Sequence, residues 1–460
     1  MKYQLTEDFP EHIFRAYDIR SDSSILTEQR VYTLAVAFAH HLKNEGVSQC
    51  LVGYDGRLSS PSIVSVLMEG LQDMGIQVFN LGMIPTPLLY FAAATGSVTS
   101  GIMVTASHNP PQDNGFKMLV KNHSPTEAVI HALYDSIQEG TILKKQLHAS
   151  TRSTMTHQDI IPAYEGYIEK NIHLSKSLRV VVDCSNGVSG LVAPHLLKAL
   201  GCEVTVLNGE VDGGFPHHKP DTSVPSAYEQ LQQTVVDTKA ELGILFDGDA
   251  DRVGMVSEDG TIIWPDRLLM LLIMDILKRY PGAPIVYDVK STQDLKPLIE
   301  SYGGIPILWR TGHSFMKRKV YETKAPVGGE LSGHIFFNDG WFGFDDGIYA
   351  AIRLLEVIST YSESLKEKLE TLPQRVSTPE ILYPIQEEEK FSVIQELQKK
   401  TFPGSVEVCL IDGVRVSFPG GWALIRASNT SPNLTLRFEA NTPHELKEIQ
   451  TLMEGILKTC

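Results

Sequence analysis

Short apolar runs alternate with amphipathic stretches along most of the chain. Val31, Leu34, Ala35, Ala37 and Phe38 fall at helical spacing behind Thr27-Glu28, which predicts a helix opened there. Residues 51–54 read as a strand ending in a turn at Asp55-Gly56-Arg57, and Ser59-Ser60-Pro61 starts a helix reaching about Met74. Strands follow at 78–82 and 101–104, with a Pro85-Thr86-Pro87 turn between them, and 114–118 is a turn entering another strand. Alternating strand and helix indicates parallel βα units, which place ligand sites at the carboxyl ends of their strands.

Residues 149–156, rich in Ser and Thr without apolar periodicity, read as a linker. A helix over about 159–172 leads to a buried strand at 178–183, a turn at Asn186-Gly187 and a helix at 190–200. The order strand, acidic residue, turn, helix thus occurs at Asp55 and Asp183, and it recurs at Asp288 ahead of a helix from Gln293. Such spacing suggests three related α/β domains with mixed sheets. Toward the C-terminus the pattern changes. Residues 406–411 and 414–418 flank an Asp412-Gly413 turn as a hairpin, 422–426 and 434–440 add antiparallel strands, and 445–457 is an amphipathic helix, together an α+β module. The expected domains are 1–153, 154–256, 257–371 and 372–460.

Composition narrows the class. A chain of 460 residues is too long for one core, and 42% hydrophobic with 21% charged residues is the balance of a soluble globular protein. The longest apolar run, 268–274, is far too short to cross a bilayer and fits a buried helix. The first residues lack a basic region followed by an apolar one, so no secretory signal is read. Cys50, Cys184, Cys202, Cys409 and Cys460 are odd in number, widely spaced and free of CxxC patterns, which argues against a disulfide framework or zinc site and for a reducing cytoplasm. A net charge of −15 disfavours nucleic acid or anionic membrane as partner, and it requires any anionic substrate to meet a local basic patch.

Candidate chemistry sits at strand ends. Thr105-Ala106-Ser107-His108-Asn109-Pro110 follows a strand and ends at prolines that cannot continue regular structure, so Ser107 is presented on a loop. The buried strand 242–246 runs into Asp247-Gly248-Asp249-Ala250-Asp251-Arg252, whose three carboxylates project to one side of an extended chain. A hard divalent cation answers their repulsion, and oxygen-only ligands near a phosphate favour Mg²⁺. A calcium-binding EF-hand is disfavoured because Arg252 replaces its turn glycine and both flanks read as strands. Gly328-Gly329-Glu330-Leu331-Ser332-Gly333-His334 reads as a loop whose glycines let backbone approach a ligand, with Glu330 and Ser332 as acceptors for sugar hydroxyls. Arg426-Ala427-Ser428-Asn429-Thr430 offers a guanidinium, hydroxyls and turn N–H groups suited to a terminal phosphate. The adjacent His217 and His218 point apart on an extended loop and read as loop structure.

These segments, with Phe14-Arg15-Ala16-Tyr17-Asp18-Ile19-Arg20, resemble in order the signature loops of the α-D-phosphohexomutases, and most closely the bacterial phosphomannomutase/phosphoglucomutase branch. Ser21, His217 and Leu331 depart from the usual residues. The resemblance implies four domains around a central cleft and an intramolecular phosphotransferase interconverting hexose 6-phosphate and hexose 1-phosphate, with mannose or glucose as the sugar. It implies a phosphoserine at Ser107 and a hexose 1,6-bisphosphate intermediate, which also serves as activator. Metal ligands would be Asp247, Asp249, Asp251 and a phosphoryl oxygen on Ser107, holding one Mg²⁺ per chain. Acid/base duty falls on Lys117 and His334, with Arg20 and His313 assisting. Tyr17, Lys290, Glu330, Ser332, Arg426, Ser428, Asn429 and Thr430 would bind substrate. A lysine acting as base would need a lowered pKa. Rival readings are a phosphoglucosamine mutase and a catalytically silent sugar-phosphate-binding protein. Partners beyond small hexose phosphates are not expected, and the chain is expected as a monomer with a dimer left open.

Overall fold

The computed structural model describes residues 3–140, 152–428 and 433–460. Its backbone groups into two units, Met1–Pro265 with Ser332–Leu365, and Asp266–Leu331 with Lys366–Cys460.

Thr27 caps the helix Glu28–Asn44 by accepting from Arg30 N at 3.4 Å, as the spacing predicts. The first sheet contains β1 (Asp18–Asp22), β2 (Gln49–Tyr54), β3 (Gln77–Met83), β4 (Gly101–Val104), β5 (Asp113–Leu119) and β6 (Met155–His157), in the order β1-β5-β4-β2-β3-β6. Strands β3 and β4 flank β2 in parallel, while β5 runs antiparallel to both β4 and β1. This register sets Asp18 opposite Lys117 and Arg20 opposite Gly115, so two cationic side chains enter the same end of the sheet. The linker expected at 149–156 needs correction. Residues 149–151 lie outside the described residues, and Met155–His157 pair with β3 as an edge strand, so the first sheet reaches past the expected boundary at 153.

The second sheet repeats the plan with β7 (Arg179–Asp183), β8 (Glu203–Leu207), β9 (Leu242–Phe246), β10 (Val253–Ser257) and β11 (Ile262–Ile263), ordered β11-β10-β9-β7-β8. The helix expected at 190–200 is split into a 3₁₀ turn, Val188–Leu191, and a helix, Ala193–Ala199. Pro194 sits in the first turn of the latter, where a missing N–H costs nothing but where it could not extend a preceding helix.

In the second unit β12 (Pro284–Asp288) is again flanked in parallel, by β13 (Ile305–Trp309) and β14 (Val327–Gly329). The helix Pro265–Arg279 carries the longest apolar run, and Leu268, Leu269, Leu271 and Leu272 are at most 1% exposed. Each such leucine contributes about 1.5–3 kcal/mol of burial free energy. The C-terminal α+β module follows β15 (Ile335–Phe337) in the chain. It comprises β16 (Val376–Ser377), β17 (Ile381–Pro384), β18 (Glu407–Cys409), β19 (Val414–Phe418), β20 (Gly421–Ala427) and β21 (Asn433–Ala440), backed by the helix Pro443–Leu457. Strands β16 and β17 both pair with β21 and were not legible in the sequence, being two and four residues long. All five cysteines are free. Among the described residues no helix is long and apolar enough to cross a membrane.

One buried carboxyl titrates near neutrality. Asp346 caps the helix Gly347–Ser359 through Tyr349 N at 2.8 Å and accepts from Tyr164 Oη at 2.9 Å. Burial nonetheless pushes it up to about 7, above the unfolded value of roughly 4. A raised carboxyl binds its proton more tightly when folded, so its contribution to stability is full below pH ~4 and is lost as pH rises toward 7, by up to about 1.4 kcal/mol per unit. Asp346→Asn keeps the cap and removes the titration. Urea melts from pH 5 to 8 should show a flatter dependence for this variant than for wild type. Identical slopes would rule the assignment out.

Candidate active site

Strand β4 delivers Thr105 and Ser107 to a loop in which Ser107 has φ +51°, a left-handed conformation that a serine adopts only when its surroundings hold it. Arg57 supplies much of that hold. Its fully buried guanidinium donates to the carbonyls of Ser107 (2.7 Å), Asn109 (2.8 Å), Pro110 (2.5 Å) and Asp113 (3.0 Å), and pairs with Asp55 at 3.1 Å. Thr105 Oγ1 accepts from Ser107 N at 2.9 Å and donates to Asp55 at 2.7 Å. Sequence reasoning passed over Arg57, although an Asp-Gly-Arg directly after a buried strand is the available signal.

The aspartate loop comes against this serine. A Cβ at Gly248 would lie 2.6 Å from Ser107 O, so only glycine permits the approach. Ser107 Oγ donates to Asp247 Oδ2 at 2.7 Å, and Asp247 Oδ1 accepts from Arg252 N at 3.1 Å. Asp249 Oδ2 accepts from Lys117 Nζ and Thr86 Oγ1, both at 2.6 Å, and Lys117 also pairs with Asp251 Oδ2. All three aspartates are fully buried. Burial, reinforced by Asp251 and Asp249, raises the Asp247 carboxyl well above the carboxylate range, whereas at Asp249 burial is overcome by the charge and hydrogen bond of Lys117 together with Thr86 and Arg20, which lower it. Burial alone would lower Lys117, but Asp249 and Asp251 hold its ammonium well above the ordinary value. That direction is opposite to the one a general base requires and keeps the ammonium charged beside the two aspartates.

The residues fit a divalent ion. The three aspartates bring one oxygen each within 4.8 Å of one another. Asp249 Oδ1 and Asp251 Oδ1 are buried without a hydrogen-bond partner among the described residues, and the donors are oxygen throughout. The flanking β9 and β10 pair as an antiparallel hairpin, consistent with excluding a helix-flanked calcium loop.

Other predicted residues gather here. Arg20 Nε pairs with Asp18 at 2.8 Å while its Nη1 reaches Asn109 Oδ1 at 3.3 Å and Ala106 O at 3.4 Å. Tyr17 is buried just ahead of β1. His334 Nδ1 lies 3.1 Å from Asp345 and 3.6 Å from Asp251, and its Nε2 accepts from Arg252 Nε at 3.1 Å. Because a guanidinium only donates, the neutral ring carries its proton on Nδ1, toward Asp345. Ser332 is buried and its carbonyl accepts from Thr222 Oγ1 at 3.0 Å. His108, not singled out in the sequence, has Nδ1 3.2 Å from Ser107 Oγ, and burial followed by the charge of Arg252 holds it well below the ordinary imidazole value.

The second unit holds a separate set. Lys290 Nζ pairs with Glu380 at 2.7 Å. Glu330 Oε1 accepts from Gly312 N at 2.6 Å, beside the buried His313 that begins the helix His313–Thr323. Arg426 Nε pairs with Asp412 Oδ2 at 3.1 Å, and that oxygen also accepts from Thr311 N at 2.9 Å. Ser428 is buried at the end of β20, donating its N–H to Asn433 O at 2.9 Å, and Asn429 and Thr430 lie outside the described residues. The reading of Gly328 and Gly329 as ligand-approach loop is corrected. Both lie in β14, where side chains would come within 2.6 Å of Val320 and 3.0 Å of Leu269, so their glycines serve packing.

Comparison with known proteins gives the chain's relatives. Four family models match in succession: phosphoglucomutase/phosphomannomutase alpha/beta/alpha domain I over residues 11–143, domain II over 162–260, domain III over 264–376 and the C-terminal domain over 380–455. The chain is 46% identical over 450 residues to a phosphomannomutase/phosphoglucomutase of Pseudomonas aeruginosa, covering 98% of this chain and 96% of the relative. It is 44% identical to a phosphoglucomutase of Neisseria gonorrhoeae, covering 97% of each. A crystal structure of a phosphoglucomutase/phosphomannomutase family protein from Burkholderia thailandensis superimposes with a TM-score of 0.91 at 40% identity, covering 99% of this chain and 98% of that one.

Proposed function

Because the chain belongs to the phosphoglucomutase/phosphomannomutase family, whose members are mutases of the isomerase class, we propose that it moves a phosphoryl group between O6 and O1 of mannose or glucose, with Ser107 as carrier. The observation that carries this reading is the burial of Ser107 Oγ in one nest with Asp247, Asp249, Asp251, Lys117 and Arg20. A serine needing only a turn would have no use for three buried carboxylates and two cations.

In this reading the phosphoryl group on Ser107 passes to the free O1 or O6 of a hexose monophosphate, breaking the Ser107 O–P bond and forming the sugar O–P bond. The bound hexose 1,6-bisphosphate then turns over and returns its other phosphoryl group to Ser107. Asp247, Asp249 and Asp251 would hold Mg²⁺, which when bound withdraws charge from phosphoryl oxygens. Lys117 and Arg20 supply fixed positive charge where negative charge accumulates, and His334 is the candidate to shuttle the hydroxyl proton. In the second unit Lys290 and Glu330 would contact sugar hydroxyls and His313 would assist. Arg426, Ser428, Asn429 and Thr430 would receive the phosphate that is not reacting, by a guanidinium and its hydroxyl neighbours. Tyr17 and Ser332 complete the proposed substrate contacts.

Rates on mannose 1-phosphate, glucose 1-phosphate and glucosamine 1-phosphate, each primed with hexose 1,6-bisphosphate, test the reading. Faster turnover of mannose or glucose phosphate is expected. Preference for glucosamine phosphate would transfer the chain to that neighbouring activity, and no turnover together with no phosphate on Ser107 by mass spectrometry would leave a silent binding protein.

A further inference from the structure

Three sheets of this chain share one local plan. A central strand lies between two parallel neighbours, β2 between β3 and β4, β7 between β8 and β9, β12 between β13 and β14. The acidic residue that recurs in the sequence is the first beyond β2, Asp55, and the last of β7 and β12, Asp183 and Asp288, and each of these carboxylates is at most 1% exposed. None has a role in the proposed chemistry.

Their hydrogen bonds follow a common rule. Asp55 accepts from Thr105 Oγ1, the first residue beyond β4, at 2.7 Å, and from Ser60 Oγ at 2.7 Å. Asp183 accepts from Asn208 Nδ2, the first residue beyond β8, at 3.0 Å, and pairs with His218 at 3.0 Å. Asp288 goes further. Its Oδ1 accepts from Ser291 Oγ at 2.6 Å and Leu331 N at 3.2 Å, and its Oδ2 accepts from Thr311 Oγ1 at 2.9 Å. One buried carboxylate therefore ties the loop of its own strand to the loops after both neighbours. Those loops carry Lys290, His313 and Glu330.

We infer that Asp288 is the positioning residue that sets these three loops in register, and that Asp55 and Asp183 are its counterparts in the other sheets. Lys290 lies two residues after Asp288 and next to Ser291, Glu330 immediately precedes Leu331, and His313 follows Thr311 by two residues. A carboxylate accepting from hydroxyl and amide donors makes bonds about twice as strong as neutral ones. It also cannot be swapped for an amide without turning one acceptor into a donor. Leu331 N can only donate, so the amide oxygen of an asparagine would stay with it, Thr311 Oγ1 would have to turn from donor to acceptor of the NH₂, and every bond of the knot would lose the charge that strengthens it, loosening the loop that leads to His313. A displacement of about 1 Å in a binding constellation is enough to cost on the order of 10²-fold.

This inference rests on the proposed reading that Lys290, His313 and Glu330 meet the sugar. In steady-state assays of the full-length enzyme, Asp288→Asn should raise KM for the hexose 1-phosphate at least about tenfold while kcat falls less than about threefold, the pattern of lost ground-state binding. Thr311→Val removes one donor without touching the carboxylate and should raise KM in the same sense. Asp183→Asn, whose partners carry no proposed sugar contact, should leave KM within about twofold. Lys290→Ala and Glu330→Gln serve as reference variants. If they raise KM while Asp288→Asn and Thr311→Val do not, Asp288 is a folding residue only and the inference fails with the sugar-binding reading intact. If Lys290→Ala and Glu330→Gln leave KM unchanged, that reading fails and the inference falls with it.

Discussion

Ser107→Ala abolishes turnover, by on the order of 10⁴-fold or more, while hexose phosphate binding persists. The expectation follows from where the hydroxyl sits. Its Oγ bonds the aspartate loop at 2.7 Å, and the neighbouring hydroxyl, Thr105 Oγ1, is held by Asp55 at 2.7 Å and by Asp249 at 3.3 Å. The fold should tolerate the change. Alanine fits the space, Arg57 grips carbonyls rather than the side chain, and Asp247 Oδ1 keeps its bond from Arg252 N while Oδ2 loses its donor, so a loss of about 1–3 kcal/mol is the scale to expect. The measurements are turnover, calorimetric titration of the sugar phosphate and the intact mass of the protein. Turnover within tenfold of wild type would refute Ser107 as carrier. A fall in binding as large as the fall in rate would instead make it a structural residue.

Lys117→Met should be the most destabilising single change in the site when divalent ions are removed. The ammonium bonds Asp249 at 2.6 Å and also pairs with Asp251, inside a set of carboxylates with no solvent access. Removing one partner of a buried pair costs about 3–5 kcal/mol because the remaining charge is left uncompensated. For a folding unit of this size that corresponds to a midpoint about 10 °C lower. Two controls separate charge from packing. Millimolar Mg²⁺ should restore more stability to the variant than it adds to wild type, since the ion answers the same repulsion. Lowering the pH to 5 should narrow the gap, because the unpaired carboxylates take up protons. Equal melting of the two proteins in chelator would overturn the account of Lys117 as a fixed countercharge.

Much of this could be read along the chain. The aspartates of the metal-type loop announce themselves as three closely spaced carboxylates after a buried strand, but the extended projection expected of them is corrected: the chain turns there, with Ala250 at φ +64° and its N–H donating to Asp247 O at 3.2 Å, and the turn brings the carboxylates together. The helix behind Thr27 and the strand before Ser107 were equally legible, since capping and apolar runs are properties of a few consecutive residues. The short strands β6, β16 and β17 were not. Two to four residues carry too little periodicity, and each forms only because a distant strand offers its edge. Gly328 and Gly329 were misjudged for the same reason, as glycine in isolation looks like freedom while here it is clearance for Val320 and Leu269.

The residue types at each strand end, the repeating strand–acid–turn order and the order of the signature loops are legible along the chain, because they are encoded within windows shorter than one βα unit. What those residues do to one another depends on how the chain folds. The tertiary structure set Lys117 between Asp249 and Asp251, and so raised a pKa that a base would need lowered. It closed four carbonyls around Arg57, and it joined three loops on Asp288. Each of these depends on groups tens to more than a hundred residues apart meeting in a dry interior, where pairing and desolvation outweigh anything that spacing along the chain can specify.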